Sequence, residues 1–479
     1  MKTVFVSGHF NVIHPGHLRL LRFAKECGSR LIVAVESDRL AGSAAHVPEH
    51  QRLEGVASNS YVDEAFIIDK PVAEIVEQLR PDVVVKGKEH ETKSNPEASV
   101  VATYGGKLLF SSGESVFSSL DLIRREFSEL ATGAIRLPSE YLTRNGVTTK
   151  QLLNLCERIS NLRVVVIGDL IIDEYITCQP LGMSQEDPTI VVTPIDSLRF
   201  VGGAGIVAAH AAGLGARVDL VSITGQDASR VFGAEKLNEF GVEAHLLEDL
   251  SRPTTLKQRF RSGGKSLLRV SHLHQDAISA ELQNKIIDLI TPLLKDADLL
   301  IFSDFNYGCL PQALVDHLST IAKTNGVLSA ADSQSSSQVG DISRFVGMDL
   351  ITPTEREARI AMRNQQDGLV VLAEKLRNQT KAKNMLLKMG EEGLLIHAFN
   401  KDSEEITTDQ IPALNSHPKD VAGAGDSMLI ASAMAMACGG NIWESAVIGS
   451  VASAIQVSRL GNVPLRQDDL YGVICGRQG

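Results

Sequence analysis

The chain has 479 residues, of which 43% are hydrophobic and 22% charged, with a formal net charge of −11. That is about three times a typical domain of ~150 residues, so two or three domains are expected, and the acidic balance argues against nonspecific nucleic-acid binding. The six cysteines are scattered without a CxxC pair and read as reduced thiols; no apolar run approaches the ~18 residues of a membrane span.

The first elements alternate strand and helix. "KTVFVSG" reads as a buried strand. "HLRLLRFAKECG" places Leu20, Phe23, Ala24 and Cys27 at helical spacing and stops at Gly28 as C-cap. "RLIVAVES", "EAFIID", "VAEIVEQLRP", "DVVVKG" and "GKLLFSS" continue the pattern to about residue 130. Such alternation predicts an α/β domain over 1–131, with a parallel sheet covered on both faces in Rossmann-like fashion. The opening Met-Lys and its strand are too short for a signal peptide, and a cytoplasmic location is expected. Residues 132–161 are polar and turn-rich, then carry one amphipathic helix entered from Thr148–Thr149; they are expected to form a linker.

At Leu162 the alternation restarts with "LRVVVIGDLIIDEYI", and a second α/β domain is expected over 162–479. "GGAGIVAAHAAGLGA" reads as a small-residue helix able to pack closely on a sheet. "PTIVVTPIDSLRFV" and "TTLKQRFRSGGKSLLRVSH" alternate with period two and are expected to form an antiparallel β lid. "GGKS" within the second is a hairpin turn and not a Walker A loop, because Arg259 stands where the earlier glycine is required. The glycines of "GGAGIVA" lack an acidic ribose ligand and are no dinucleotide fingerprint.

Two stretches carry chemistry. In "GHFNVIHPGH" (Gly8 to His17) a strand ends on glycine and a helix begins, so bare N–H groups face any anion there. His14 and His17 add donors suited to charge building on an α-phosphate and a leaving pyrophosphate. A bare HxxH is weak, since such pairs also cap helices or bind metals. "DVAGAGD" (Asp420 to Asp426) is a glycine turn running into a small-residue helix. The amides of Gly423, Ala424 and Gly425 can receive a γ-phosphate, and Asp426 can take the proton of an acceptor hydroxyl. A lone GAGD is also a common tight turn with an N-cap aspartate.

"GHFNVIHPGH" resembles the GxFDxxHxGH signature of the cytidylyltransferase-like nucleotidyltransferases, and the likeness runs through "RLIVAVESD", "VPEHQR", "PDVVVKGKEH" and "ESVFSSLDLI". The resemblance implies that His14 and His17 hold the triphosphate and stabilise the transition state, with Mg²⁺ bridging phosphates. It further implies nucleotide contacts from Gly8, Asn11, Arg52, Lys86, Ser118 and Ser119. Asn11 stands where many members have Asp, and no lysine follows the second strand; Arg39 is the nearest cation there.

The region from Leu162 onward resembles the ribokinase-like, phosphofructokinase-B type sugar kinases. That resemblance implies Asp426 as base, Gly423 to Gly425 as anion hole, Asp173, Gly202 and Gly203 against the sugar, and Glu357 near Mg²⁺. Thr354 replaces the Asn of the NxxE element, and Ile206 replaces an Asn that often follows the glycine pair. Together the halves resemble the bifunctional heptose-7-phosphate kinase/heptose-1-phosphate adenylyltransferases, in reversed domain order. "TLKQRF" then offers Lys257 and Arg259 to a substrate phosphate. The implied function is phosphorylation of a sugar or sugar phosphate by ATP, and nucleotidyl transfer from ATP or CTP to a sugar 1-phosphate, giving pyrophosphate and an NDP-sugar such as ADP-heptose. Sugar-phosphate and nucleotide substrates, no nucleic acid, no membrane and a homodimer through the lid complete that expectation. The alternatives are a sugar kinase whose N-terminal domain is an inactive nucleotide-binding regulator, and a non-enzymatic sugar-nucleotide sensor.

Overall fold

The computed structural model describes residues 2–13, 15–87, 95–111, 135–262, 265–335, 339–400 and 405–476. The chain divides into two compact units, Met1–Thr132 and Gly133–Gly479. His14, Ser118 and Ser119 lie outside the described residues.

The first unit is built on five parallel strands: β1 (Thr3–Gly8), β2 (Arg30–Glu36), β3 (Glu64–Ile68), β4 (Val83–Gly87) and β5 (Lys107–Ser111), in the order β3-β2-β1-β4-β5. Alternate side chains enter opposite cores. Val4 and Val6 meet Leu21 and Val56 from the helices Pro15–Glu26 and Glu49–Ala57. Phe5 meets Val76 and Val101 from the helices Val72–Leu79 and Glu97–Thr103. Both faces are covered, which is why these strands read as continuous apolar runs. The order reverses between β1 and β4. In open parallel sheets ligands sit beyond the strand ends at such a reversal, so Gly8 and Lys86 flank the natural crevice.

The second unit holds a nine-stranded sheet. Its strands are β6 (Arg163–Gly168), β9 (Arg217–Thr224), β10 (Glu243–Glu248), β13 (Leu299–Asp304), β14 (Leu328–Ser333), β15 (Leu350–Ile351), β16 (Asn384–Lys388), β17 (Leu394–Asn400) and β18 (Glu405–Ile411). They run β10-β9-β6-β13-β14-β15-β16-β17-β18. The first seven in that order are mutually parallel; β17 pairs antiparallel with β16, and β18 antiparallel with β17. One face is covered by the helices Ala204–Gly213, Ala424–Ala437 and Ile442–Val457, whose alanines, glycines and serines allow close approach to the sheet. Ile286, Leu314 and Leu372 come from the helices on the other face.

A separate four-stranded lid has the order β12-β11-β7-β8, with β7 (Leu170–Met183), β8 (Ile190–Gly203), β11 (Thr255–Ser262) and β12 (Lys265–His272). The expected antiparallel lid is corrected in one respect. β7 belongs to it and pairs in parallel with β11, joining two antiparallel hairpins. The cause is local: only Asp169 separates β6 from β7, so the chain leaves the main sheet directly into the lid.

The stretch 132–161, expected to be a linker, is also corrected where it is described. Helices Ser139–Arg144 and Thr149–Ile159 belong to the second unit. Tyr141, Leu152, Leu155, Cys156 and Ile159 are buried in the core beneath the helix Ala424–Ala437. Tyr141 Oη donates to Trp443 O at 3.1 Å, and Arg144 forks onto Asp409. An amphipathic stripe of this size needs a core to cover it. Thr148 caps the second of these helices in a capping box with Gln151.

Candidate active sites

In the first unit, the chain leaves β1 through Gly8 and turns at Phe10, whose φ of +48° is a left-handed conformation unusual for an aromatic residue. Phe10 is buried, and its ring lies 5.0 Å from that of His17. His17 Nδ1 is 3.1 Å from Val12 O, which fixes the imidazole at the mouth of its helix. Asn11 is used on both sides of its amide: Nδ2 donates to Ala44 O at 2.7 Å, and Oδ1 accepts from His46 N at 2.8 Å. Arg52 is 1% exposed. Its guanidinium donates to Val47 O, His9 O and Asp38 Oδ1 at 2.7, 2.7 and 2.6 Å. The Arg52 hydrogen bond holds the Asp38 carboxyl below its ordinary range. Asn11 and Arg52 thus tie segment 44–47 to the loop after β1, and both are committed to the protein frame. Lys86 is ion-paired with Glu97 at 3.0 Å, and Arg39 with Asp69 at 2.8 Å.

The second unit gathers its expected residues more tightly. Gly423 adopts φ +75° and opens the helix Ala424–Ala437; a Cβ there would lie 2.6 Å from Asn462 Oδ1. Asp420 holds this turn together: Oδ1 accepts from Ala422 N at 3.1 Å, while Oδ2 accepts from Gly461 N at 3.1 Å and from Tyr175 Oη at 3.0 Å. Asp426, in the first turn of the helix, is buried and accepts from Gln334 Nε2 at 2.7 Å. Burial, reinforced by the negative charge of Asp332, pushes its carboxyl up to about 7, against the pull of Lys388. Such a value suits a general base working near neutrality.

Asp173 faces this turn from the lid. It is buried, 3.5 Å from the Arg259 guanidinium and 3.4 Å from Asn462 Nδ2. Burial raises its carboxyl while Arg259 and Lys257 draw it down. Gly202 is glycine for a steric reason, since a Cβ would come within 2.4 Å of Asp173 Oδ2. Lys257, Arg259 and Arg261 recur every second residue on β11 and so share a face. Lys257 lies opposite Asp173, and Arg259 lies between Tyr175 on β7 and Arg269 on β12. The guanidinium carbons of Arg259 and Arg261 sit 5.0 and 5.1 Å from the Tyr175 ring centroid, and Lys257 Nζ sits 4.9 Å from that of Phe305.

Glu357 is buried with both oxygens on backbone amides, Oε1 on Ser335 N at 3.0 Å and Oε2 on Thr354 N at 2.7 Å. Thr354 caps the helix Glu355–Met362, and the pair forms a capping box. Ile206 is fully buried in the helix Ala204–Gly213. Sequence reasoning missed Asp332, Gln334, Lys388, Asp420, Tyr175, Arg261, Arg269 and Asn462. Asp420 was within reach, as the first residue of the glycine motif; the others are single polar or aromatic residues within strands, at strand ends or in loops, with no motif around them.

The profile of the pfkB family of carbohydrate kinases matches residues 161–467, and that of the cytidylyltransferase-like family matches residues 5–107. The bifunctional protein HldE of a Nitratiruptor species is 30% identical over 303 residues, covering 62% of this chain and 62% of that protein. Bifunctional protein HldE of Bradyrhizobium diazoefficiens is 31% identical over 314 residues, covering 64% and 62%. This chain therefore spans just over three fifths of the length of these curated relatives. Among solved structures, Arabidopsis thaliana ribokinase complexed with ribose and ATP superposes with a TM-score of 0.51 at 18% identity, over 66% of this chain and 99% of that one. Escherichia coli phosphofructokinase-2 in complex with substrates and products gives 0.54 at 16%, over 66% and 99%. At these identities the likeness is one of fold.

Proposed function

This chain belongs to the pfkB family of carbohydrate kinases, and from that premise we propose that it is a bifunctional enzyme of sugar activation. The second unit transfers the γ-phosphoryl group of ATP to a hydroxyl of a sugar phosphate of the heptose 7-phosphate kind. The first transfers a nucleotidyl group from ATP or CTP to a sugar 1-phosphate, releasing pyrophosphate and an NDP-sugar such as ADP-heptose. The observation that carries the kinase half is a buried carboxyl with a near-neutral pKa, Asp426, beside a glycine turn at a helix N-terminus. The acceptor oxygen attacks the γ-phosphorus as Asp426 takes its proton, and the bond to the β-phosphate oxygen breaks to release ADP. The helix start and its glycine turn receive the transferred group. Asp173 orients the sugar hydroxyls, with Gly202 and Gly203 leaving the room. The cationic face of the lid, with Lys257 and Arg259 at its centre, supports an acceptor that carries a phosphate of its own.

No group of three or more His, Cys, Asp or Glu side chains poised to hold a metal occurs among the described residues. A magnesium ion that arrives on nucleotide phosphates needs only one or two carboxylates, and Glu357 suits that role in the kinase unit. Mg²⁺ there would neutralise phosphate charge. In the first unit, His17 at the helix mouth and Gly8 at the sheet reversal support phosphate binding. His14, Ser118 and Ser119 are assigned there by resemblance alone. No described helix is long and apolar enough to cross a membrane, and we assign the enzyme to the cytoplasm.

A second reading is favoured by one feature. Around the first site Arg52, Lys86 and Arg39 are all engaged by protein groups, which suits a nucleotide-binding regulator as well as a transferase. One assay separates the two. The protein is incubated with Mg²⁺, ATP or CTP and a panel of sugars and sugar phosphates, heptose 7-phosphate included, and ADP and pyrophosphate are read separately. Asp426→Asn is expected to abolish only ADP release, and His17→Ala only pyrophosphate release. ADP without pyrophosphate from any 1-phosphate leaves the regulator; neither product from any substrate removes both readings.

A further inference from the structure

Lys388 closes β16, and its side chain is only 11% exposed. Its ammonium bridges both oxygens of Asp332, at 3.0 and 2.9 Å, and the Asp332 side chain is 2% exposed. The backbone is pinned as well, since Lys388 N donates to Pro353 O at 2.8 Å. A strand-end lysine usually extends into water. This one instead runs under the glycine turn of the kinase site: a Cβ placed on Gly425 would lie 2.9 Å from Lys388 Nζ. Gly425 has no left-handed φ to explain it. The ammonium occupies the room that a side chain would take.

That placement is electrostatically unusual. The N-terminus of a helix carries roughly half a positive charge, and a buried cation beside it is repelled. Three carboxylates compensate. Burial works against the charge on Lys388, yet Asp332, Glu357 and Asp426 together hold its ammonium above its ordinary value. Meanwhile burial lifts Asp332 to about 6 in spite of the lysine. With Asp332 as its direct counter-ion, the ammonium stays charged beside the helix start that the kinase reading gives to the transferred phosphoryl group.

We propose that Lys388 is a catalytic residue of the kinase unit, contacting the γ-phosphoryl group of ATP during transfer, with Asp332 as its resting partner. The inference rests on the kinase reading above and adds a residue and a role. As the acceptor oxygen bonds to the γ-phosphorus and the bridging bond to ADP breaks, negative charge spreads over the γ-oxygens and the leaving β-phosphate oxygen. The proton of the acceptor goes to Asp426. Lys388 supplies a fixed positive charge to those oxygens at low reorganisation cost, since Asp332 already holds it in place.

A purely structural ion pair makes a different prediction, and a double variant separates them. Removing one partner of a buried pair leaves the other uncompensated and destabilises the fold, whereas removing both largely restores it. Wild type, Lys388→Met, Asp332→Asn and the double variant are compared for Tm, for ADP release with the acceptor that works best for wild type, and for calorimetric affinity for Mg-ADP with and without aluminium fluoride, which mimics the transferring phosphoryl group. The expected result is a double variant that regains most of the lost Tm and still binds Mg-ADP. Its kcat should be lower by about 10²–10³-fold, and the tightening by aluminium fluoride should be lost. A double variant within about threefold of wild-type kcat, or one that keeps the aluminium fluoride tightening, overturns the assignment. A wild type that releases no ADP with any acceptor defeats the kinase reading itself, which is a separate outcome.

Discussion

Asp426 carries the most direct pH prediction. A carboxyl held at about 7 is a competent base only above that value. The kinase rate is expected to fall about tenfold per pH unit below it, with a single-proton limb in kcat/KM that titrates near 7. The same shift has a stability sign. The folded state binds a proton that the unfolded state releases at its ordinary, lower pKa, so this group makes stability fall as pH rises through the window up to about 7. Asp426→Asn should therefore abolish ADP release and raise Tm more at pH 8 than at pH 5, as read by thermal scans at the two values. A pH-independent Tm difference would mean that the carboxyl is not held in its acid form. Asp426 was legible in the sequence because glycine, alanine and glycine directly before an aspartate set a carboxyl beside bare amides at a helix start. Lys388 was not. "LLKMG" offers one lysine at a strand end, and only the two-residue β15 lying between β14 and β16 brings it to Asp332.

At the scale of elements, the same contrast recurs. Strand and helix alternation in both halves was readable because buried parallel strands are continuous apolar runs and their helices carry one apolar stripe. The parallel pairing of β7 with β11 was not, since it joins residues some eighty positions apart and leaves no local pattern. The helix Thr149–Ile159 was found, but nothing in its own residues says which core its stripe will meet. Asn11 and Thr354 were read as departures from family patterns, and the structure gives each a local physical use. Asn11 needs an amide because it must both donate and accept, which an aspartate cannot do. Thr354 begins a helix, and the T-x-x-E spacing to Glu357 is a capping box. Thr354→Ala should cost about 1 kcal/mol of stability, while Thr354→Asn, an equal or better N-cap, should cost little. Chemical denaturation of the three proteins checks this. Equal losses for Ala and Asn would mean that the threonine acts through packing instead.

At the scale of the molecule, the lid poses the remaining physical problem. It is a small sheet whose strand β8 is exposed along most of its length, and Leu181, Met183, Ile190, Ile195 and Leu198 are each at least half exposed. Soluble monomers rarely leave so many large apolar side chains together on one hairpin, here β7 and β8, and the open edges β8 and β12 add unpaired backbone groups. The inner part of the same lid is committed to Asp173 and the cations around it, so its apolar outer part is available for association without disturbing the site. A second copy of this chain is the occupant that fits, because the same strip on each partner would cover the other about a twofold axis. The chain is therefore expected to run as a dimer in light-scattering chromatography at micromolar concentration. Ile195→Glu combined with Leu198→Glu should yield monomers, since burying two carboxylates opposite two more is costly on both counts. A dimer that survives both charges would have its interface elsewhere, and a wild-type monomer would mean that the lid carries its apolar strip in water. If the lid is held by its partner, the monomeric variant should also show a raised KM for the acceptor phosphate with Asp426 chemistry intact, because Lys257 and Arg259 ride on the strand next to β7.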